Sequence, residues 1–360
     1  MTLLQHSDRT LFDPSLVLMQ RDGPYLEDVP DDVIIYDLRA RSLWTSWLPL
    51  ARLLRRERPD ILFSPGGTNV AAVIAKALSG VGTRVVLSER NILAHSGLTL
   101  KRRLMIALQR LFYPWADCVT AVSQGVKDDM VAKLGLPSES IEVIYNPIVD
   151  DDLQTLAGEP IDHPWFQEDI PIILGAGRLV PQKNFQMLLR AFAEIRARQP
   201  ARLVILGEGP LQDELTALAE QLKVADDVWL AGFDKNPFKY MAKADIFVLS
   251  SLHEGLPGVL IQAMACGTAV IATDCPFGPD EIIKDGEDGF LVAVNDVDGL
   301  AERMMFLLSH PEERMAIGAL AQLNVQRFKI DRVLQNYYHA IVGKPVASDM
   351  EVFSDEAAVG

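Results

Sequence analysis

The sequence predicts an α/β protein built from two doubly wound, parallel-sheet domains. Three observations carry this expectation. Short apolar runs alternate with helical patterns in a βαβ rhythm along both halves of the chain. The length of 360 residues exceeds the usual size of one domain, and 49% hydrophobic residues suffice for two cores. An acidic, proline-containing stretch after Asn146-Pro147 separates the halves.

In the first half, strands are expected at Leu16–Met19, Val33–Tyr36, Ile61–Ser64, Val85–Ser88, Val119–Val122 and Ile141–Tyr145, each an apolar run too short for a helix. Helices fit between them at Leu43–Arg58, Asn69–Leu78, Lys101–Tyr113 and Gln124–Leu134, completing a first domain over residues 1–148. Residues 149–169 are the expected linker. The rhythm resumes at Ile172–Leu174, Leu203–Leu206, Val228–Leu230, Ile246–Leu249, Ala269–Ala272 and Phe290–Val292, giving a second domain over 170–328. A final helix over 329–343 is long enough to cross back to the first domain, and the acidic tail 344–360 is expected to be disordered. The opening is unusual for a nucleotide-binding α/β domain, which begins with a strand, a glycine turn and a helix. Here the first strand-like run leads into Arg21-Asp-Gly-Pro, so the chain is expected to start inside a first helix, one βα unit short.

Composition narrows the function. A net charge of −15 argues against a nucleic-acid partner. Residues 1–150 are balanced at 17 basic and 17 acidic side chains, so the excess lies in the second half. Residues 41–110 nevertheless hold 12 basic against 3 acidic groups, interleaved with Trp44 and Trp47 and followed by Phe112, Tyr113 and Trp115. Such a surface over 41–115 suits anionic lipid headgroups, and Leu98 to Tyr113 has amphipathic helical spacing. An ordinary helix with one core face satisfies the same spacing, and both readings stand. Cys118, Cys266 and Cys275 are too few and too scattered for a disulfide framework or a zinc site, and read as small core residues of a cytoplasmic protein. No basic-plus-apolar signal segment opens the chain.

The chemistry concentrates in Ser250-Ser-Leu-His-Glu-Gly-Leu-Pro-Gly, which follows a buried strand and opens an apolar helix. Ligands of open α/β sheets bind at the carboxyl ends of strands, where the next helix offers free N–H groups and a positive dipole end. Glu254 sits in that turn. The loop after Ile172-Ile-Leu supplies Gly175 and Gly177, then Arg178 and Lys183, two cations able to hold a diphosphate as it leaves. Glu208 in Gly207-Glu-Gly-Pro and Phe233 after Gly232 end neighbouring strands, so several loops converge on one edge. Gly175-x-Gly177 alone suggests a dinucleotide oxidoreductase, but no third glycine follows in place.

With these residues assembled, the chain resembles the retaining glycosyltransferases of family 4. The resemblance rests on Gly177-Arg-Leu-Val-Pro-Gln-Lys-Asn184, Gly207-Glu-Gly-Pro210, Ala231-Gly-Phe233, Ser250 to Gly267, Gly278-Pro-Asp-Glu-Ile-Ile283 and Gly286-Glu-Asp-Gly-Phe290. Ser88-Glu-Arg-Asn91, Ala116 to Ser123 and Ile144-Tyr-Asn-Pro147 extend it into the first half. It implies a GT-B fold, two facing Rossmann-like domains with a cleft between them, the donor held by the second. It implies that Arg178 and Lys183 bind the donor diphosphate, that Glu254 meets the sugar hydroxyls, and that the backbone at Gly255, Leu256 and Pro257 meets phosphate or sugar, with neither metal nor cofactor required.

Two departures from that pattern matter. The second glutamate of the family's motif, an acceptor for ribose hydroxyls, is Gln262 here, and the first strand with its glycine loop is missing. The family's acceptor-side histidine position reads Ser88-Glu89-Arg90-Asn91, which makes Glu89 and Arg90 the expected acceptor-side contacts. His95 and His253 read as loop-shaping residues. The expected activity is transfer of a hexose or N-acetylhexosamine from a UDP- or GDP-sugar to a glycan or lipid-linked oligosaccharide, at the inner face of the cytoplasmic membrane. The rival is a binding or scaffold protein of the same fold with impaired catalysis, favoured by Gln262 and the missing unit.

Overall fold

Strands buried on both faces of a parallel sheet need continuous apolar runs, and each run expected from the sequence forms a strand within two residues of its expected limits. In the computed structural model, which describes residues 1–22, 26–93 and 99–342, these are β1 (Ser15–Leu18), β2 (Ile34–Asp37), β3 (Ile61–Pro65), β4 (Arg84–Glu89), β5 (Cys118–Ala121) and β6 (Ile141–Val143) in the first domain. The second domain holds β7 (Ile172–Ala176), β8 (Arg202–Leu206), β9 (Val228–Gly232), β10 (Ile246–Leu249), β11 (Ala269–Thr273) and β12 (Phe290–Val292). Every ladder between them is parallel.

The second sheet has the order β12-β11-β10-β7-β8-β9, so β7 and β10 lie side by side where the strand order reverses. That switch point is where an open sheet leaves a crevice between diverging loops, and it is where the loops carrying Lys183 and Glu254 emerge. Ile173, Leu203, Ile205, Ile246 and Ile271 are fully buried under the helices Phe185–Arg196 and Val297–Ser309.

The first domain is divided. β3-β4-β5-β6 form one sheet and β1-β2 a separate pair, and among the described residues β1 is bonded only to β2 and β3 only to β4. The helix Leu43–Glu57 spans the two pieces, packing Leu50, Leu53 and Leu54 against Val17 of β1, Tyr36 of β2 and Leu62 of β3. The opening residues form a short helix, Thr2–His6, in place of a longer one.

The expected linker is ordered. It contains the helix Leu153–Ala157 and a stack of His163 on Trp229, ring centroids 3.9 Å apart. The return crossing runs beside the outward one, because Phe328 O accepts from the N–H groups of Ile148 and Val149, and Ile330 N donates to Val149 O. The helix Ile330–Val342 then buries Tyr337 on the first domain, against Phe63 and Ile144. His95 and the acidic tail lie outside the described residues.

Candidate functional site

Three glycine loops close the edge of the second sheet. The turn after β7 bonds to the turn after β8 through Gly177 N to Leu206 O and Leu179 N to Glu208 O, both 2.9 Å, and Gly207 N reaches Gly232 O after β9 at 2.7 Å. These approaches tolerate no side chain, since a Cβ on Gly207 would collide with Gly177 O. Gly177 has φ +152°, and a Cβ there would sit 3.0–3.3 Å from the Lys183 stem. The glycine therefore makes room for the lysine to lie across it.

Lys183 ends a short turn, Pro181–Lys183, that the next residue, Asn184, completes in the left-handed region at φ 49°. This turn is tied to the loop after β10. Leu252 N donates to Gln182 O, Gln182 Nε2 to His253 O, and Ser250 Oγ to Lys183 O, each at 2.8 Å. Lys183 Nζ and Glu254 Oε1 meet at 2.6 Å, and Ser251 Oγ donates to the same oxygen at 2.6 Å. The side chains are 17% and 9% exposed, so this is a largely buried ion pair. Burial, the nearby cations of Arg102 and Lys183 adding to it, holds the adjacent His253 below its usual pKa against the pull of Glu254.

Arg178 is exposed on the same edge, with no side-chain partner among the described residues. Glu208 is exposed beside Gly232, and Phe233 stands 55% exposed next to it. Leu256 and Pro257 are buried, and Pro257 caps the helix Gly258–Ala265 that carries Gln262. Gln262 is half-buried, and its side chain makes no hydrogen bond among the described residues. The structure thus gathers Gly177, Arg178, Lys183, Glu254, Gly255, Leu256 and Pro257 at the β7/β10 switch, with Glu208 and Phe233 on the adjoining loops. A separate depression lined by Gln186, Arg190, Glu214 and Asn295 lies on the flank of this domain.

Glu89 and Arg90 are placed otherwise than expected. Glu89 is 4% exposed, and its carboxylate accepts from Tyr113 Oη at 2.8 Å, from Gln109 Nε2 and from the N–H groups of Arg90 and Asn91. Burial raises its pKa despite those bonds. It organises the interior of the first domain, held by groups of that domain. Arg90 directs its guanidinium to Asn146 Oδ1 at 2.6 Å, and its backbone carbonyl lies close to Gly255 of the second domain.

Sequence reasoning missed the contact between the domains. Ser123 Oγ donates to Gly255 O at 2.8 Å, and the Glu281 carboxylate accepts from Gln124 N at 2.8 Å and Gly125 N at 2.7 Å. Serine before a helix signals an N-cap, but nothing in one sequence links the Gly125 N–H to a glutamate 156 residues away.

The comparisons with known proteins bear on the family and the fold. A family model described as glycosyl transferases group 1 matches residues 162–323, and one described as glycosyltransferase family 4 matches residues 2–152. The chain is 32% identical over 280 residues, 76% of its length and 74% of the relative's, to the N-acetylgalactosamine-N,N'-diacetylbacillosaminyl-diphospho-undecaprenol 4-alpha-N-acetylgalactosaminyltransferase of Campylobacter jejuni. Among solved structures, Anabaena HepE in complex with UDP aligns with TM-score 0.79 at 21% identity, covering 95% of this chain and 94% of that one. A glycosyltransferase from Rickettsia africae aligns with TM-score 0.79 at 16% identity, covering 94% and 92%.

Proposed function

The chain belongs to the family 4 glycosyltransferases and has their GT-B fold, and from that premise we propose that it transfers a hexose or N-acetylhexosamine from a UDP- or GDP-sugar, with retention, to a glycan or lipid-linked oligosaccharide. The observation that carries this reading is the convergence of Arg178, Lys183 and Glu254 on joined strand-end loops. The named substrate of the Campylobacter relative is lipid-linked, and the Anabaena structure contains UDP, which supports the choice of acceptor and of nucleotide.

In this reading the diphosphate lies against Arg178 and Lys183, whose charge stabilises it as it departs, without a metal ion. Glu254 accepts hydrogen bonds from the sugar hydroxyls. The acceptor hydroxyl attacks C1 from the face the diphosphate leaves, giving its proton to the departing phosphate oxygen as the new C1–O bond forms. Lys183 is paired with Glu254, so donor binding redistributes an existing pair.

The acceptor's lipid tail suggests a membrane face. On the helix Leu100–Phe112, Leu100 is 84% and Leu104 53% exposed, Leu111 is also exposed, as is Trp115 in the turn that follows, and Lys101 and Arg103 flank the leucines. No helix among the described residues is long and apolar enough to cross a membrane. An apolar outer stripe with basic neighbours suits docking on the anionic inner leaflet. Cosedimentation with vesicles rich in phosphatidylglycerol tests it, with loss of binding expected for Leu104→Glu and Leu111→Glu.

The central test is a thermal-shift screen of UDP- and GDP-sugars. One donor class should raise the melting temperature of the wild type, because a ligand that binds only the folded state stabilises it, and should leave Arg178→Ala unchanged. No stabilisation by any nucleotide sugar would reject the assignment.

A further inference from the structure

The first turn of any helix leaves N–H groups without intrahelical partners. In the helix Gln124–Leu134 of the first domain, the N-cap Ser123 satisfies one of them, Val126 N, at 3.2 Å. The two before it, Gln124 N and Gly125 N, are satisfied from the other domain by the two oxygens of Glu281. A carboxylate at a helix N-terminus also faces the positive end of the dipole. Its attachment on the second domain is firm: Glu281 O accepts from Arg327 at 2.6 Å, on the segment that returns to the first domain.

The same strip reaches the donor loop. Ser123 donates to the carbonyl of Gly255, the residue after Glu254, and a Cβ on Gly255 would lie 2.6 Å from Arg90 O. A Cβ on Gly125 would collide with the ring of Phe277, and Gly278 packs under Gly255 and Pro257. The loops over 250–257 and 276–281 therefore touch the first domain along one continuous line, so close at Gly125 and Gly255 that neither has room for a side chain.

We propose that Glu281 is a positioning residue that fastens the first turn of the 124–134 helix to the second domain, so that the first domain is held against the Glu254–Pro257 loop when the domains are closed. This rests on the transferase reading above and deepens it. The donor contacts of Arg178, Lys183 and Glu254 all belong to the second domain, so donor affinity survives release of the latch. What is lost is the alignment of donor and acceptor across the gap. Glu281→Gln keeps one acceptor oxygen and turns an NH2 group toward an N–H donor, abolishing a charge-assisted contact. A loss of about tenfold or more in kcat is expected, with the donor dissociation constant changed little.

The experiment uses the full chain. Small-angle scattering of the ligand-free protein compares wild type, Glu281→Gln, Gly125→Ala and the double variant Gly125→Ala/Phe277→Ala, and steady-state kinetics separate kcat from donor KM. Both single variants should raise the radius of gyration and lower kcat, while removal of the Phe277 ring should return Gly125→Ala toward the wild-type radius. A Glu281→Gln protein that melts lower but matches wild type in radius and kcat would overturn the latch, as would failure of the Phe277 rescue. If the wild type transfers no sugar, the transferase reading falls while the scattering series still judges the latch.

Discussion

Removing Lys183 should destabilise the protein more than removing it together with Glu254. Lys183→Ala leaves the Glu254 carboxylate, 9% exposed, without its ammonium partner. Breaking a buried ion pair from one side costs about 3–5 kcal/mol, because the remaining charge stays desolvated. Glu254 keeps the Ser251 hydroxyl at 2.6 Å, which places the loss near the lower end, about 3 kcal/mol. For a domain of this size that corresponds to a fall of roughly 6–12 °C in melting temperature. Lys183→Ala/Glu254→Ala removes the stranded charge, so the double variant should recover part of the loss, with a coupling of about 1–3 kcal/mol between the two sites. Differential scanning calorimetry of the four proteins, following the transition of the second domain, measures the cycle. Wild-type melting in Lys183→Ala, or additive losses in the double variant, would refute the claim that these side chains form a buried, mutually dependent pair.

Gln262→Glu adds a charged acceptor on a half-buried helix position and should tighten nucleotide-sugar binding by about tenfold or more in calorimetry, since hydrogen bonds to charged groups contribute about 1.5–3 kcal/mol; unchanged affinity would remove Gln262 from the ribose site. Burial pushes Cys118 up to about 11 and Cys266 and Cys275 up to about 12, so about a thousandth or less of each thiol is ionised at pH 8. Iodoacetamide should therefore label the native protein slowly and the denatured protein fully, as read by intact mass. His253 has a folded pKa below its ordinary 6.5, so its contribution to stability is complete above that value and is lost as the pH falls through the folded pKa. Melting curves between pH 7.5 and 5 should show a smaller acid-induced decline for His253→Gln than for wild type; equal declines would contradict the burial argument.

The parts of this molecule legible in the sequence are those whose physics is local. A strand such as Ile246–Leu249 is a run of apolar residues because both its faces are covered, and Gly177 announces a turn because the chain there has a conformation other residues avoid. The joining of Lys183 to Glu254 could be anticipated only as proximity, since the two are 71 residues apart and share an edge through sheet order. The burial of Glu89 was hidden for a related reason. At the end of a strand a glutamate looks exposed, and local pattern cannot show that Tyr113 and Gln109, on and just after the next helix, fold over it. The break between β1 and β3 is equally silent, because each strand carries the same apolar signal whether one neighbour is present or two.

The closed geometry explains why the donor loop is built from glycine and proline. Gly255 must pass the backbone of Arg90, Gly278 must pass Pro257, and Gly125 must pass the Phe277 ring, so each small residue marks a place where the two domains or their loops come into close contact. Glu254 sits at the centre of this packing, held by Lys183 from one side and continuous with the interdomain strip on the other. A ligand that draws Lys183 away from Glu254 therefore alters a loop whose next residue is bonded to Ser123 of the first domain. The donor loop and the strip between the domains thus adjoin at Gly255, and the contacts run from Lys183 through Glu254 and Gly255 to Ser123.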